Sequence, residues 1–172
     1  MQKDNIVLIG MPGAGKSTLG VVVAKVLGYD FIDGDLLIQN QCDKTLQKVI
    51  DAIGPEGFIQ VENEVLCTID CHRTVIAPGG SAVYSEEAMR HLSDIGHVVY
   101  LHVSLDELES RLGGLHERGV VMKDGMGMSL ADLYAEREPL YKRWAEITID
   151  TDSMNTREAA AAVVEAIGNI SQ

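Results

Sequence analysis

Residues 6–18, with the sequence IVLIGMPGAGKST, decide the fold of this chain. Four consecutive apolar residues, Ile6 to Ile9, include three β-branched side chains and predict a strand that is buried on both faces. The motif G-x-x-x-x-G-K-[ST] follows directly, and residues 17–27 have helical spacing. The order of strand, glycine-rich loop and helix predicts a loop whose backbone N–H groups surround a phosphate.

The residues of this loop predict a nucleoside triphosphate site. Glycines allow the backbone to approach the phosphates, and the following helix directs the positive end of its dipole toward them. Lys16 is expected to reach the β- and γ-phosphates, and the hydroxyl of Ser17 is expected to ligate Mg²⁺. The expected nucleotide-binding residues are Gly13, Ala14, Gly15, Lys16, Ser17 and Thr18.

Length and composition predict one globular domain over residues 1–172. Hydrophobic residues make up 46% and charged residues 23% of the chain, and no apolar run approaches the length of a membrane span. A secretory signal pattern is absent, and the net charge of −12 opposes binding to nucleic acid or anionic membranes. We therefore expect a cytoplasmic monomer with no nucleic-acid or membrane partner.

Three cysteines, Cys42, Cys67 and Cys71, are expected to be reduced thiols because their number is odd in an apparently cytosolic chain. The spacing of Cys67, Cys71 and His72 also fits part of a metal site, but no second pair of ligands follows at zinc-like spacing. Packing on one helix face is the favoured interpretation.

The rest of the chain alternates between strand and helix patterns. Strands are predicted at residues 29–32, 74–77, 98–103 and 147–150. Helices are predicted at residues 36–41, 45–53, 58–71, 86–93, 105–112, 129–144 and 156–170, with a turn at 54–57 and a capping box of Ser104 and Glu107.

This pattern predicts an α/β fold of the P-loop NTPase type, with a five-stranded parallel sheet and helices on both faces. A small helical region at about residues 33–62 is expected to bind the substrate. Residues 112–128 are rich in glycine and have no period, so they are expected to form a lid.

Two carboxylates, Asp33 and Asp35, follow the second predicted strand at the sheet edge that carries the phosphate loop. Phosphoryl transfer needs one carboxylate near Mg²⁺ and another that orients the acceptor hydroxyl and takes its proton. The alternative is a solvated D-G-D turn. Beside a phosphate loop, the catalytic interpretation is favoured.

A glycine turn and three arginines complete the candidate site. Gly79, Gly80 and Ser81 follow a buried strand, where the glycines allow close approach to a ligand. In so acidic a chain, an anionic substrate needs local arginines, and the candidates are Arg111, Arg118 and Arg137. Ordinary surface positions for these arginines remain an alternative at this point.

The chain resembles the shikimate kinase family over nearly its whole length, residues 6–157. The resemblance rests on GMPGAGKST, on FIDGD at residues 31–35, on the Gly79-Gly80 turn, on Arg118, and on REPLY at residues 137–141 ahead of WAE. It implies a kinase that uses ATP and Mg²⁺ and phosphorylates shikimate to shikimate 3-phosphate.

The resemblance also implies roles for individual residues. Ser17 would bind Mg²⁺, and Asp33 would hold the metal through water. Asp35 would orient or deprotonate the shikimate hydroxyl. Gly80 would hydrogen-bond the substrate, and Arg137 would pair with its carboxylate.

Further roles concern the nucleotide. By the same resemblance, Arg118 would move in with the lid to bind the ATP phosphates. Arg111 and the loop around Asn155 fall where the family holds adenine. The implied catalytic residues are Lys16, Asp33, Asp35 and Arg118.

The sequence departs from the family pattern at three places. Ile59 stands where the family usually has an arginine, directly after Phe58, that helps to hold the carboxylate. Ser81 replaces the third residue of the family's triple glycine. The lid lacks the usual proline after Arg118, where this chain has Gly119. A lost arginine–carboxylate contact is worth about 1.5–3 kcal/mol, so a change of acceptor is an open alternative.

Three hypotheses follow. The first is a shikimate kinase, and the second is a kinase of a sugar acid or polyol, because gluconate kinase-like proteins also carry D-G-D and Ile59 removes a cation. A nucleoside monophosphate acceptor would require more arginines than this chain offers. The third is a nucleotide-binding protein without catalytic activity, which the intact Lys16, Ser17, Asp33 and Asp35 argue against.

Overall fold

A computed structural model describes residues 3–112 and 128–170 of the chain. Its five strands form one parallel sheet in the order β2-β3-β1-β4-β5. Every residue of the strands β1 and β3 is buried, so helices cover both faces of the sheet. The predicted fold class is confirmed. The strands are β1 (Asn5–Ile9), β2 (Asp30–Asp33), β3 (Thr74–Ala77), β4 (Gly96–His102) and β5 (Ile147–Asp150).

The described residues form seven α-helices and a short 3₁₀ turn at Ala82–Tyr84. The helices are α1 (Lys16–Leu27), α2 (Gly34–Cys42), α3 (Leu46–Cys67), α4 (Glu86–Ile95), α5 (Leu105–Leu112), α6 (Leu130–Trp144) and α7 (Thr156–Ile170). Helix α1 packs against α7, β2 and β3, whereas α4 packs against α3, β1 and β4. None of the described helices has the length and hydropathy of a membrane span.

Helix α3 differs most from the prediction. The predicted turn at residues 54–57 is a kink at Gly54 alone, whose φ of 73° and ψ of 170° are not helical. Pro55 then begins the second half, where its missing N–H is tolerated. The predicted end at Cys71 is wrong: the helix ends at Cys67 because the N–H and hydroxyl of Thr68 both donate back to Val65 O.

Smaller differences lie at other element ends. Strand β2 begins and ends one residue later than predicted, and β4 begins at Gly96 because that residue pairs with Asn5 of β1. The capping box before α5 is only half formed. The N–H of Glu107 donates to Ser104 Oγ at 3.4 Å, but the N–H of Ser104 donates to Asp152.

A second, smaller apolar cluster lies apart from the core around the sheet. It is built by α2 and α3, which supply the buried side chains Ile38, Val49, Phe58 and Val65. Ile59 packs against this cluster. Helices α2 and α3 therefore pack on each other within the range predicted to bind the substrate, and α2 also contacts β2.

Candidate active site

The phosphate loop joins β1 to α1 and takes its shape from glycines. Gly15 immediately precedes α1 with a φ of 86°, a left-handed conformation that favours glycine. At Gly10, a Cβ atom would lie 2.7 Å from Leu101 O, so the start of the loop lies in close contact with β4. The predicted sequence of strand, loop and helix is confirmed.

Lys16 is folded over the loop. Its Nζ donates to the carbonyl oxygens of Gly10 at 2.8 Å and Met11 at 2.9 Å. Burial disfavours the ammonium form and lowers its pKa to about 8, although the nearby Asp35 opposes this shift. The amine therefore lies at the loop, close to the acidic side chains that follow β2.

Ser17 and Asp33 are in direct contact. The hydroxyl of Ser17 donates to Asp33 Oδ2 at 2.6 Å. Asp33 Oδ1 accepts from the N–H of Leu36 at 3.2 Å, which caps α2 and fixes the carboxylate. Hydroxyl and carboxylate oxygens are the hard donors that Mg²⁺ prefers, so this pair fits the metal.

Asp35 lies in the first turn of α2, partly buried. Burial raises its pKa to about 6, and the Asp33 carboxylate adds to the shift while Lys16 opposes it. A carboxyl group with such a pKa is ionised at neutral pH and is a better proton acceptor than an exposed aspartate. Asp35 can therefore act as a general base in this arrangement.

Gly34 lies between the two aspartates and against the main chain that follows β3. A Cβ at this position would lie 2.4 Å from Pro78 O. The glycine is therefore required by a close contact between two main chains, the one after β2 and the one after β3. This contact brings the D-G-D and P-G-G segments together.

Gly79 and Gly80 leave room for functional side chains. A Cβ at Gly79 would lie 2.8 Å from Glu62 Oε1 and 3.0 Å from Asp35 Oδ1. A Cβ at Gly80 would lie 2.9 Å from Arg137 Nη1. The turn after β3 is thus the point where the acidic groups and the arginine converge.

Arg137 projects from α6 and is 1% exposed. Its Nε donates to Tyr84 Oη at 3.0 Å, and its guanidinium lies over the Tyr84 ring, 5.0 Å from the centroid. The hydroxyl of Tyr141, one turn further along α6, donates to Gly80 O at 2.8 Å. Two tyrosines therefore hold the arginine and the glycine turn in place.

Glu62 was not predicted as a site residue. It is 0% exposed, and the hydroxyl of Ser81 donates to its Oε2 at 2.7 Å. Its Oε1 has no hydrogen-bond partner among the described residues. Burial raises its pKa to about 8, and Asp35 adds to this shift. One sequence signal could have indicated it: Glu62 lies four residues after Phe58, on the apolar face of a helix.

These groups surround one cavity of about 320 Å³. Its described lining combines the phosphate loop, both aspartates, the glycine turn and Arg137. The full lining is Pro12, Gly13, Gly15, Lys16, Ser17, Thr18, Asp33, Asp35, Leu46, Phe58, Ala77, Gly79, Gly80, Ser81 and Arg137. The structure therefore brings most of the predicted residues together at one place.

A second cavity of about 260 Å³ adjoins the phosphate loop, and Ala14, Gly15, Thr18, Arg111 and Asn155 are among its lining residues. The predicted adenine residues are thus adjacent to the loop. Asn155 Oδ1 also accepts from the N–H groups of Arg157 and Glu158 at the start of α7. Arg118 and nearly all of the predicted lid, residues 113–127, lie outside the described residues.

The cysteines form no metal site in the described part of the chain, where no group of three or more His, Cys, Asp or Glu side chains could hold a metal ion. Cys67 and Cys71 contact different asparagines, because Cys71 lies beyond the end of α3. The predicted packing is confirmed, because both cysteines pack against the core around the sheet, but their placement on one helix face is wrong.

A phosphate loop, a Ser17–Asp33 pair and a buried Arg137 around one cavity define the class of this protein, the P-loop kinases that act on small acceptors. Comparison with known proteins gives the family. Residues 12–168 match the model of the shikimate kinase family. The chain therefore belongs to the shikimate kinase family, whose members are phosphotransferases with an alcohol group as acceptor.

Individual relatives agree with this assignment. The shikimate kinase of Francisella tularensis subsp. novicida (strain U112) is 37% identical over 159 residues, which cover 91% of this chain and 90% of the relative. That of Actinobacillus pleuropneumoniae serotype 5b (strain L20) is 33% identical over 170 residues, 98% of each protein. The structure of shikimate kinase from Acinetobacter baumannii in complex with shikimate matches with a TM-score of 0.86 at 30% identity, over 98% of this chain and 94% of that chain.

Proposed function

We propose that this protein transfers the γ-phosphoryl group of ATP to a hydroxyl of shikimate and forms shikimate 3-phosphate. The observation that carries the proposal is the position of Arg137, a buried cation in the same cavity as the phosphate loop and Asp35. A guanidinium suits a carboxylate, which shikimate carries. The relative from Acinetobacter baumannii, whose structure contains shikimate, supports the same acceptor.

The proposed roles follow from the contacts of each group. Asp35 accepts the proton of the acceptor hydroxyl, and its raised pKa suits that task. Lys16 stabilises the charge of the transferring phosphoryl group, and the loop N–H groups hold the remaining phosphates. Gly80 and Arg137 position the acceptor. The resemblance assigns Arg118 to the ATP phosphates and Arg111 and Asn155 to adenine.

Mg²⁺ is part of the proposal because the Ser17 hydroxyl and the Asp33 carboxylate lie 2.6 Å apart and offer oxygen ligands. When bound, Mg²⁺ would neutralise charge on the β- and γ-phosphates. Asp33 contributes by keeping its carboxylate oriented through the cap on α2. Its other oxygen therefore remains directed toward Ser17.

A sugar acid or polyol is a second candidate acceptor. Ile59 packs against the α2–α3 apolar cluster and does not line the cavity, and the described cations that line it are Lys16 and Arg137. An acceptor held by one arginine can differ from shikimate in ring shape while keeping a carboxylate. This candidate retains the same transfer chemistry.

The experiment is coupled ADP release from the purified protein with Mg·ATP, with and without shikimate, gluconate and related hydroxy acids. We expect saturable stimulation by shikimate, with the product identified by phosphorus NMR. Turnover with gluconate alone would replace shikimate by the second candidate. Tight ATP binding without transfer to any acceptor would instead support a nucleotide-binding protein without catalytic activity.

We also propose that the protein acts as a monomer in the cytoplasm and binds no nucleic acid. The net charge of −12 supports the last point, because phosphate backbones repel an acidic surface. Sedimentation velocity at micromolar concentration tests the oligomeric state. A dimer at this concentration would contradict the proposal.

A further inference from the structure

We propose that Ser81 is a specificity-determining residue that binds the carboxylate of the acceptor beside Arg137, with its hydroxyl oriented by the buried Glu62. This inference rests on the proposed function, since it concerns the same acceptor. It gives a role to a side chain where the family pattern has glycine. It also gives a role to a buried acidic group that the transfer chemistry does not use.

Position is the first argument. Ser81 lines the cavity although the residue is only 4% exposed. It directly follows Gly80, where a Cβ would lie 2.9 Å from Arg137 Nη1. The Ser81 backbone, with φ of −90° and ψ of −8°, is ordinary for any residue. The serine side chain is therefore placed without strain at the end of the cavity that holds the arginine.

The environment of Glu62 is the second argument. The charged groups that face it are Asp35 from α2, Lys16 from the phosphate loop and Arg137 from α6. Asp35 favours the neutral carboxyl, whereas the two cations and the Ser81 hydrogen bond favour the ionised form. Burial outweighs them and raises the pKa of Glu62 to about 8, so the carboxyl group is mostly neutral at pH 7.

Protonation decides what Ser81 offers to the cavity. A hydroxyl both donates and accepts, whereas an ionised carboxylate only accepts. When Glu62 is ionised, Ser81 must donate to it across the 2.7 Å contact. When Glu62 is neutral, the carboxyl O–H can donate to Ser81 Oγ, and the Ser81 hydroxyl hydrogen is then free to bind an anion.

The ligand chemistry follows from these two donors. Arg137 presents N–H groups and Ser81 presents an O–H, and a carboxylate has two oxygens that can accept one set each. A hydroxyl donor restores part of the recognition that a second cation would give. A hydrogen bond to a charged group changes affinity by about tenfold to a hundredfold.

The first test is Ser81→Ala, which removes only the hydroxyl. We expect the KM for shikimate to rise at least about tenfold, with a smaller change in kcat, because the ground state and transition state share this contact. Ser85→Ala is the matched control, since Ser85 precedes α4 and its side chain makes no cap hydrogen bond. The control should keep the wild-type KM.

An acceptor analogue shows which group Ser81 binds. The analogue is shikimate with its carboxylate replaced by a neutral hydroxymethyl group. If Ser81 binds the carboxylate, the Ser81→Ala penalty in KM shrinks to a few-fold with this analogue. An equal penalty with both acceptors, or none with shikimate, would overturn the inference.

The second test is the pH dependence of Glu62→Gln, which carries a neutral amide that still donates to Ser81. The wild-type KM for shikimate should rise as pH passes through about 8, because ionised Glu62 withdraws the serine hydrogen and adds negative charge. In Glu62→Gln the KM should remain near its neutral-pH value. Lys16, whose pKa also lies at about 8, is present in both proteins. The same rise in both would reject the role of Glu62.

Failure of this inference can be distinguished from failure of the proposed function. A wild-type protein that phosphorylates shikimate, combined with an unchanged KM in Ser81→Ala, refutes only the role of Ser81. A wild-type protein that neither binds shikimate in titration calorimetry nor phosphorylates it refutes both. Turnover with shikimate and a raised KM in Ser81→Ala supports both.

Discussion

The phosphate-binding part and the acceptor-binding part of the cavity are positioned in different ways. The phosphate part is one continuous segment, residues 10–18, whose N–H groups are placed by the backbone between β1 and α1. The acceptor part combines side chains from three distant segments, with Glu62 on α3, Ser81 after β3 and Arg137 on α6. A backbone site tolerates changes in neighbouring side chains, whereas a site built from several side chains depends on each of them.

The largest expected effect tests the phosphate part at the proposed role of Lys16. Lys16→Ala should lower kcat about 10³-fold, because the charge on the transferring phosphoryl group loses its nearest cation. Circular dichroism should show an unchanged fold, since the loop is shaped by its backbone. Lys25→Ala, an exposed change on the same helix, should keep wild-type activity. Activity of Lys16→Ala within tenfold of wild type would remove the lysine from the mechanism.

Asp35→Asn tests the group between the two parts. Turnover should fall about 10²-fold because an amide cannot take the proton of the acceptor. In the wild type, kcat/KM should rise with pH and reach half its maximum near pH 6, where Asp35 ionises according to its raised pKa. Asp94→Asn, on exposed surface, is the control and should leave the profile unchanged.

Asp35→Asn should also change the stability of the protein, and the sign of this change follows from the pKa of Asp35. The folded-state pKa of Asp35, about 6, lies above the ordinary aspartate value of 3.8, so the folded protein binds this proton more tightly than the unfolded chain. The contribution of this tighter proton binding to the free energy of unfolding is complete below pH 3.8. It is lost as the pH rises through 6. Asp35→Asn should therefore raise the Tm at pH 8 and leave it unchanged near pH 4. A lowered Tm at pH 8 would contradict the burial of an uncompensated charge.

The smallest effect concerns the side chains that support the acceptor part. Tyr84→Phe removes the oxygen that accepts from Arg137 Nε but keeps the ring under the guanidinium. The KM for shikimate should rise less than about tenfold, with kcat nearly unchanged, because the arginine remains in place but is less restrained. Tyr29→Phe is a matched control, since Arg73 lies over its ring 5.2 Å from the centroid, away from the cavity. Equal KM changes in both variants would contradict a positioning role for Tyr84.

The difference between the two parts also explains what the sequence could predict. The phosphate loop could be predicted because its residues are contiguous in the sequence and its glycines meet local requirements of the backbone. Asp33 and Asp35 could be predicted as site residues because they follow a strand that ends at the sheet edge carrying the phosphate loop. The parallel sheet and its five strands followed from apolar runs that alternate with helical periods.

The contacts of the acceptor part were harder to predict because they join residues that are far apart in the chain. The hydrogen bond between Ser81 and Glu62 spans 19 residues, and that between Arg137 and Tyr84 spans 53. No local pattern indicates which side chains meet at such separations. The end of α3 was misplaced for a similar reason, since Thr68 stops the helix with a side-chain hydrogen bond that composition does not indicate.

The contact of Gly34 with Pro78 bears on how such an enzyme can diverge. Because that contact joins two main-chain segments, it holds the D-G-D segment against the turn after β3 whatever side chains surround the acceptor. Substitutions at positions such as 59 and 81 can then accumulate in a lineage without displacing the transfer chemistry. A gene copy can therefore explore new acceptors by single replacements while every intermediate keeps a working phosphoryl-transfer centre.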